Sequence, residues 1–175
     1  MALTRLNTNA YGTSLNLASN VTGTLPAANG GSGRTAVTGN VLQVQQQVIT
    51  ATTSTSSTSF TDTGFSIAIT PSSSSNKILC VVNLQSVAKD SGINSGMSVR
   101  IVRTSTDIGK TTNHMYEGWT VGGYTTLSLV YLDSPSTTSA TTYKATFKNR
   151  ESNGVMFNAY SGDTSTFTLY EVAGW

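Results

Sequence analysis

From Val41 onward, large apolar side chains recur at every second position in short runs, and this period constrains the chain more than any other feature. Phe65, Ile67 and Ile69 alternate with Ser66 and Ala68 before Thr70-Pro71 stops the run. Ile78, Cys80, Val82 and Leu84 repeat the rule, as do Met97, Val99 and Ile101. Leu127, Leu129 and Tyr131 precede an Asp133-Ser134-Pro135 turn, Tyr143, Ala145 and Phe147 alternate with Lys144 and Lys148, and Phe167 and Leu169 mark a last run. Successive side chains of a β-strand point to opposite faces, so this spacing gathers the large groups on one face. Ser, Thr, Asn and Gly clusters part the runs at near-regular intervals, the pattern of an all-β sandwich or barrel. With Val41 to Thr50 and Val155 to Tyr160 added, about eight strands are expected. No stretch of ten or more residues carries a helical stripe, so helices should be few and short.

Two runs depart from the alternation. Leu79-Cys80-Val81-Val82 and Leu129-Val130-Tyr131-Leu132 are apolar on both faces, as strands covered on both sides are. A second sheet supplies one cover, and a neighbouring copy of the chain is the expected other. Obligate interfaces resemble a domain core in this way, and closed symmetry protects sheet edges from unwanted pairing.

The chain has 175 residues, enough for one ordinary domain and an extension. Serine and threonine fill about three positions in ten, whereas charged residues reach only 10%, well under the usual quarter. Hydroxyls and amides must therefore solvate the surface, which suits sheets and their turns. Arg5 and Arg34 are the only charges before Asp62, and Gly30-Gly31-Ser32-Gly33 is a flexible punctuation. Residues 1–40 are accordingly read as an extended arm and residues 41–175 as the β domain.

Composition also argues against several partners. The net charge is +2 with scattered basic residues, whereas nucleic-acid binding needs a concentrated basic face. No apolar run approaches a membrane span, and the N-terminus lacks the apolar core of a signal peptide, so folding in the cytoplasm of the producing cell is expected. Cys80 is the only cysteine, which leaves no intrachain disulfide and no cysteine-based zinc site; it reads as a buried small hydrophobe.

Catalytic patterns are weak. Asp62-Thr63-Gly64 matches the aspartic-protease triplet, in which two carboxylates share a proton, but Asp62 and Gly64 also read as turn formers ahead of the Phe65 run. His114 is the only histidine, no Gly-x-Ser-x-Gly elbow occurs, and the eight acids show no grouping that suits glycosidase chemistry. The chain is read as non-enzymatic, with no cofactor and no metal. One aromatic stretch does suggest recognition: His114, Tyr116, Trp119 and Tyr124 lie among amides, hydroxyls and glycines, the rigid contact area with polar handles that binds sugar or protein surfaces. Core or interface packing of Trp119 and Tyr124 is the alternative. Asn20-Val21-Thr22 is formally a glycosylation sequon and is assigned no function.

Three stretches resemble phage tail-fibre and related virion proteins. Val21 to Gly33, containing Thr24, Leu25, Pro26, Asn29, Gly30 and Gly31, is similar to the "VTGTLPxANGGTG" element of fibre shafts. Phe60 to Ser73, followed by Asn76-Lys77-Ile78-Leu79, resembles the opening of a β domain common in such fibres, and Thr166 to Gly174 resembles its "TLxEIAG" ending. The resemblance implies an antiparallel β-sandwich, jelly-roll-like in the manner of tumour-necrosis-factor-like folds, that forms a homotrimer on a virus particle. It implies a short tail fibre or fibre-tip appendage made in a bacterial host. Residues 1–40 would dock to another virion protein, and outward loops would contact a host surface glycan or protein. The glycine-rich element occurs once rather than in tandem, so no long shaft is built from this chain alone. A head decoration or cement protein, and a depolymerase acting on host polysaccharide, stay open beside the fibre.

Overall fold

In a computed structural model of the chain, residues 39–89, 96–110, 123–150 and 153–174 are described, all within the compact unit Thr38–Trp175. The glycine-rich motif with Thr24, Leu25, Pro26, Asn29, Gly30 and Gly31 lies outside them, as do His114, Tyr116 and Trp119.

The described residues form strands and no helix. The strands are β1 (Val41–Ile49), β2 (Thr53–Thr55), β3 (Thr61–Ile69), β4 (Lys77–Lys89), β5 (Met97–Arg103), β6 (Thr106–Lys110), β7 (Thr125–Asp133), β8 (Thr141–Asn149), β9 (Val155–Phe157) and β10 (Ser165–Val172). Every pairing is antiparallel. One sheet runs β1-β10-β4-β7, with β9 and then β2 added at the far end of β4; the other runs β3-β8-β5-β6. Their inner faces enclose one core that draws on both sheets. Phe65 of β3 stacks on Phe157 of β9 at 6.3 Å and meets Phe167 of β10 edge-on at 6.2 Å. Phe147 of β8 meets Phe157 edge-on at 5.7 Å. These four rings tie the sheets together, since a fully buried side chain of this size contributes about 1.5–3 kcal/mol.

The alternation predicts the core well. Phe65, Ile67, Ile69, Ile78, Cys80, Val82, Leu84, Met97, Val99, Ile101, Leu127, Leu129, Tyr143, Ala145, Phe147, Phe167 and Leu169 are all buried. Cys80 is the buried hydrophobe expected, and burial, with the Asp133 carboxylate nearby, pushes its thiol well above the ordinary range. Tyr131 is the exception, at 38% exposure. It sits on edge strand β7, where its ring lies over Gly109 of β6, close enough that an added Cβ would meet it at 3.0 Å. The alternation does not mark strands β2 and β6, because β2 holds no apolar residue and β6 only Ile108; their partners' ladders recruit them.

Two bulges shape the sandwich. In the 13-residue β4, the register with β7 slips between Leu84 and Val87, and Ser86 takes a positive φ of 39°. Beyond it Val87, Ala88 and Lys89 are all buried, because the bend turns the strand's end to pair with β9. The second bulge corrects the reading of Asp62-Thr63-Gly64 as a turn ahead of a strand: the triplet lies inside β3, where register with β8 slips between Asp62 and Ser66 and Gly64 takes φ +93°. Gln47 of β1 reaches the groups this frees, donating to Gly64 O at 3.0 Å and accepting from Ser66 N at 2.8 Å. Glycine supplies the conformation here, as bulges commonly require.

The β5–β6 hairpin contains a strained residue. Arg103 pairs Thr106, leaving Thr104 and Ser105 as the loop, and Thr104 has φ +56°. A β-branched residue is unfavourable there, whereas tight hairpin turns prefer glycine. Thr104→Gly is therefore expected to stabilise the protein by about 1 kcal/mol, read as a higher urea midpoint with unchanged slope. Its backbone N–H would still donate to Thr142 O.

Candidate functional site

The described part of the aromatic stretch is its end, Gly123 and Tyr124, directly ahead of β7. Tyr124 is 47% exposed, so it is not a core residue. Its ring meets that of Tyr160 at 4.3 Å between centroids with a 45° tilt, and Tyr160 is itself 55% exposed.

The Ser86 bulge explains why residues so distant in sequence meet. Just before it, Gln85 O accepts from Asn158 N at 2.8 Å, and Ser86 O accepts from Ala159 N. These bonds hold the turn after β9 against β4, beside the strand β7 that follows Tyr124. Asn158 is fully buried in a left-handed conformation, φ 52°, which asparagine tolerates. Its amide donates to Ile49 O at 2.7 Å and Ala51 O at 3.2 Å, and its Oδ1 accepts from Ser165 Oγ at 2.6 Å. Asp163 then closes the turn by accepting from Tyr160 N at 3.0 Å. The Tyr160 phenol is raised above its ordinary range, first by a hydrogen bond to the Tyr124 hydroxyl, then by desolvation and by the charges of Tyr124 and Asp163.

The corner thus presents two tilted aromatic faces, a carboxylate, and the Gln85 amide, which accepts from Thr126 Oγ1 at 3.1 Å. Such a surface can stack on a sugar ring or apolar side chain and hydrogen-bond its rim. The sequence marks neither Tyr160 nor Asp163 as a candidate: Tyr160 reads as the end of a strand from Val155 to Tyr160, whereas β9 stops at Phe157. A shallow groove of about 580 Å³ lies between Ser54, Thr55 and Ser56 on one side and residues 153–156 on the other. Its lining holds no titratable group, so it offers hydrogen bonding rather than acid–base chemistry.

Elsewhere, the motif that opens the domain and the motif that ends it are bonded to each other. Glu171, 2% exposed, accepts at Oε1 from Ser72 N (2.6 Å), Ser72 Oγ (2.7 Å) and Asn76 Nδ2 (2.6 Å). Asn76 Oδ1 in turn accepts from Gly174 N at 3.0 Å. Burial would raise the Glu171 carboxyl, but the hydrogen bonds from Ser72 and Asn76 outweigh it and hold the group below its usual value. Among the described residues no cluster of three or more His, Cys, Asp or Glu side chains is placed to hold a metal, and no helix is long and apolar enough to cross a membrane.

No family model matches the chain, and no curated protein matches it. Among solved structures, that of infectious bursal disease virus, Gx strain, is similar at a TM-score of 0.38 and 16% identity, over 77% of this chain. This chain spans 39% of that one's length, and a likeness so slight says nothing about function.

Proposed function

We propose that the protein is a non-catalytic structural component of a virus particle. It is a jelly-roll homotrimer, carried as a short tail fibre or fibre tip and attached through residues 1–40 to another virion protein. The observation that carries this reading is the join between the two motifs that resemble fibre proteins. Ser72 and Asn76, from the opening motif, and Glu171 and Gly174, from the ending motif, form one hydrogen-bonded knot. The resemblance thus rests on residues that close a single domain rather than on scattered similarity.

Strand order supports the jelly roll. Four strands ordered β1-β10-β4-β7 face four ordered β3-β8-β5-β6, and two interleaved Greek keys of eight strands generate such an arrangement. Host contact falls to the corner of Tyr124, Tyr160 and Asp163 together with His114, Tyr116 and Trp119, and its ligand is a surface glycan or protein. Trimerisation favours that role, since avidity raises weak single-site binding by about 10² to 10⁴.

Immunogold electron microscopy with antibody against residues 41–175 tests the location. Gold at the tail or its tip is expected; gold on the head shell would replace the fibre by a decoration protein. Tyr124→Ala combined with Tyr160→Ala should lower binding of the purified protein to host cells at least tenfold while leaving its thermal midpoint within a few degrees. Unchanged binding by the folded double variant would remove the corner from the contact.

A further inference from the structure

The outer face of sheet β1-β10-β4-β7 carries an apolar surface that the other described residues leave half exposed. Antiparallel register places Val44, Tyr170, Leu79 and Leu132 on one rung across the four strands, and Gln46, Thr168, Val81 and Val130 on the next. Val41 pairs Val172 at one end of the face and Val48 pairs Thr166 toward the other. Val41, Val44, Val48, Val130 and Leu132 are each 44–58% exposed. Polar members of the face bond to one another: Gln46 Nε2 donates to Thr168 Oγ1 at 2.9 Å, and Ser128 Oγ to Asn83 Oδ1 at 3.1 Å. No Asp or Glu lies on these rungs, and the Lys77 ammonium at the end of the face donates to Ser134 Oγ at 2.8 Å.

These five half-exposed side chains share one face with Tyr170, Leu79 and Val81, whereas soluble monomers rarely expose contiguous apolar patches beyond a few hundred Å². Its chemistry selects the occupant. A membrane-surface site would be rimmed with Lys and Arg, and a partner of opposite charge would need charges to pair with. A neutral, charge-depleted, apolar face instead has the composition of homo-oligomer interfaces, and two copies of it meet without like-charge repulsion.

We infer that this face is where copies of the chain contact one another. The inference rests on the homotrimer reading above and adds its location: the β1-β10-β4-β7 sheet turns toward neighbouring copies, and the β3-β8-β5-β6 sheet turns away from them. The doubly apolar runs at Leu79–Val82 and Leu129–Leu132 then have their second cover.

Sedimentation of the full chain at micromolar concentration tests the assignment. Wild type and Ser66→Lys, whose change lies on the opposite sheet, should sediment as trimers, whereas Val44→Lys/Val130→Lys should sediment as a monomer with native circular dichroism. A folded double variant that stays trimeric overturns the face and leaves the trimer standing. A monomeric wild type overturns both, and hydrophobic-dye binding then tells whether the face is open or covered from within the chain. Should the charged pair prevent folding, Val44→Ser/Val130→Ser is the variant to use; a trimer dissociation constant raised less than tenfold would count against the assignment.

Discussion

Glu171→Ala should lower the unfolding free energy by about 3 kcal/mol, since it strands the Ser72 and Asn76 donors in a buried site. For a chain of this size that corresponds to a fall of roughly 6–12 °C in thermal midpoint, measured at equal protein concentration because assembly contributes to stability. Glu171→Gln should cost less, as its carbonyl oxygen still accepts. The two variants separate charge from shape through pH. The Glu171 pKa is lowered in the folded state, so its contribution is fully present above the unfolded value, about 4.3. It is lost as pH falls through the lower folded value. Wild type should therefore lose stability on acidification below about pH 4 more steeply than Glu171→Gln does. Parallel pH profiles for the two would show that the carboxylate acts only as a spacer. Gly174→Ala attacks the same knot from the backbone, because its Cβ would collide with the main-chain carbonyl of Ser75. A neighbouring main chain must move to admit it.

Much of this fold was readable because its core obeys a period of two. At Phe65, Ile67 and Ile69, or at Tyr143, Ala145 and Phe147, the side chain's face follows from its position in the strand alone. What escaped were groups whose environment is set by residues far along the chain. Asp133 looked like the first residue of a polar Asp-Ser-Pro turn, yet it ends β7 at 5% exposure, because Arg103 and Tyr143 from the other sheet satisfy it. The knot at Glu171 joins residues 95 to 99 positions apart, a distance over which no local pattern operates. The candidate site divides in the same way. Tyr124 was identified by its aromatic neighbourhood, but its partner Tyr160 is brought to it by the Ser86 bulge, and Ser86 carries no sequence mark. The apolar outer face was half visible, at Leu79–Val82 and Leu129–Leu132. Its continuation through Val44, Tyr170 and Val172 needed the register of β1 and β10.

The cluster at Asp133 yields the other large effect. Arg103 Nη1 lies 2.8 Å from both Asp133 oxygens and 3.1 Å from Ser134 O, and Tyr143 donates its hydroxyl to Asp133 Oδ2 at 2.7 Å. Burial and that hydrogen bond to Asp133 raise the Tyr143 phenol far above its ordinary range, so it serves as a permanent donor. Arg103 stands on β5 and Tyr143 on β8, whereas Asp133 stands on β7, so the three side chains pin the two sheets where the aromatic core ends. Arg103→Ala leaves a carboxylate at 5% exposure with one remaining side-chain donor, and losses of about 3–5 kcal/mol follow from stranding a buried charge. The Arg103 side chain is 27% exposed, so water can enter the vacated space, and the lower end, about 3 kcal/mol, is expected. The charge-free combination Arg103→Met/Asp133→Asn should cost less than Arg103→Ala alone, because it removes the uncompensated charge with its partner. Urea unfolding of the three proteins decides the matter. If the double variant is the less stable, Arg103 acts mainly by packing its methylene stem, and the pin between the sheets is apolar rather than ionic.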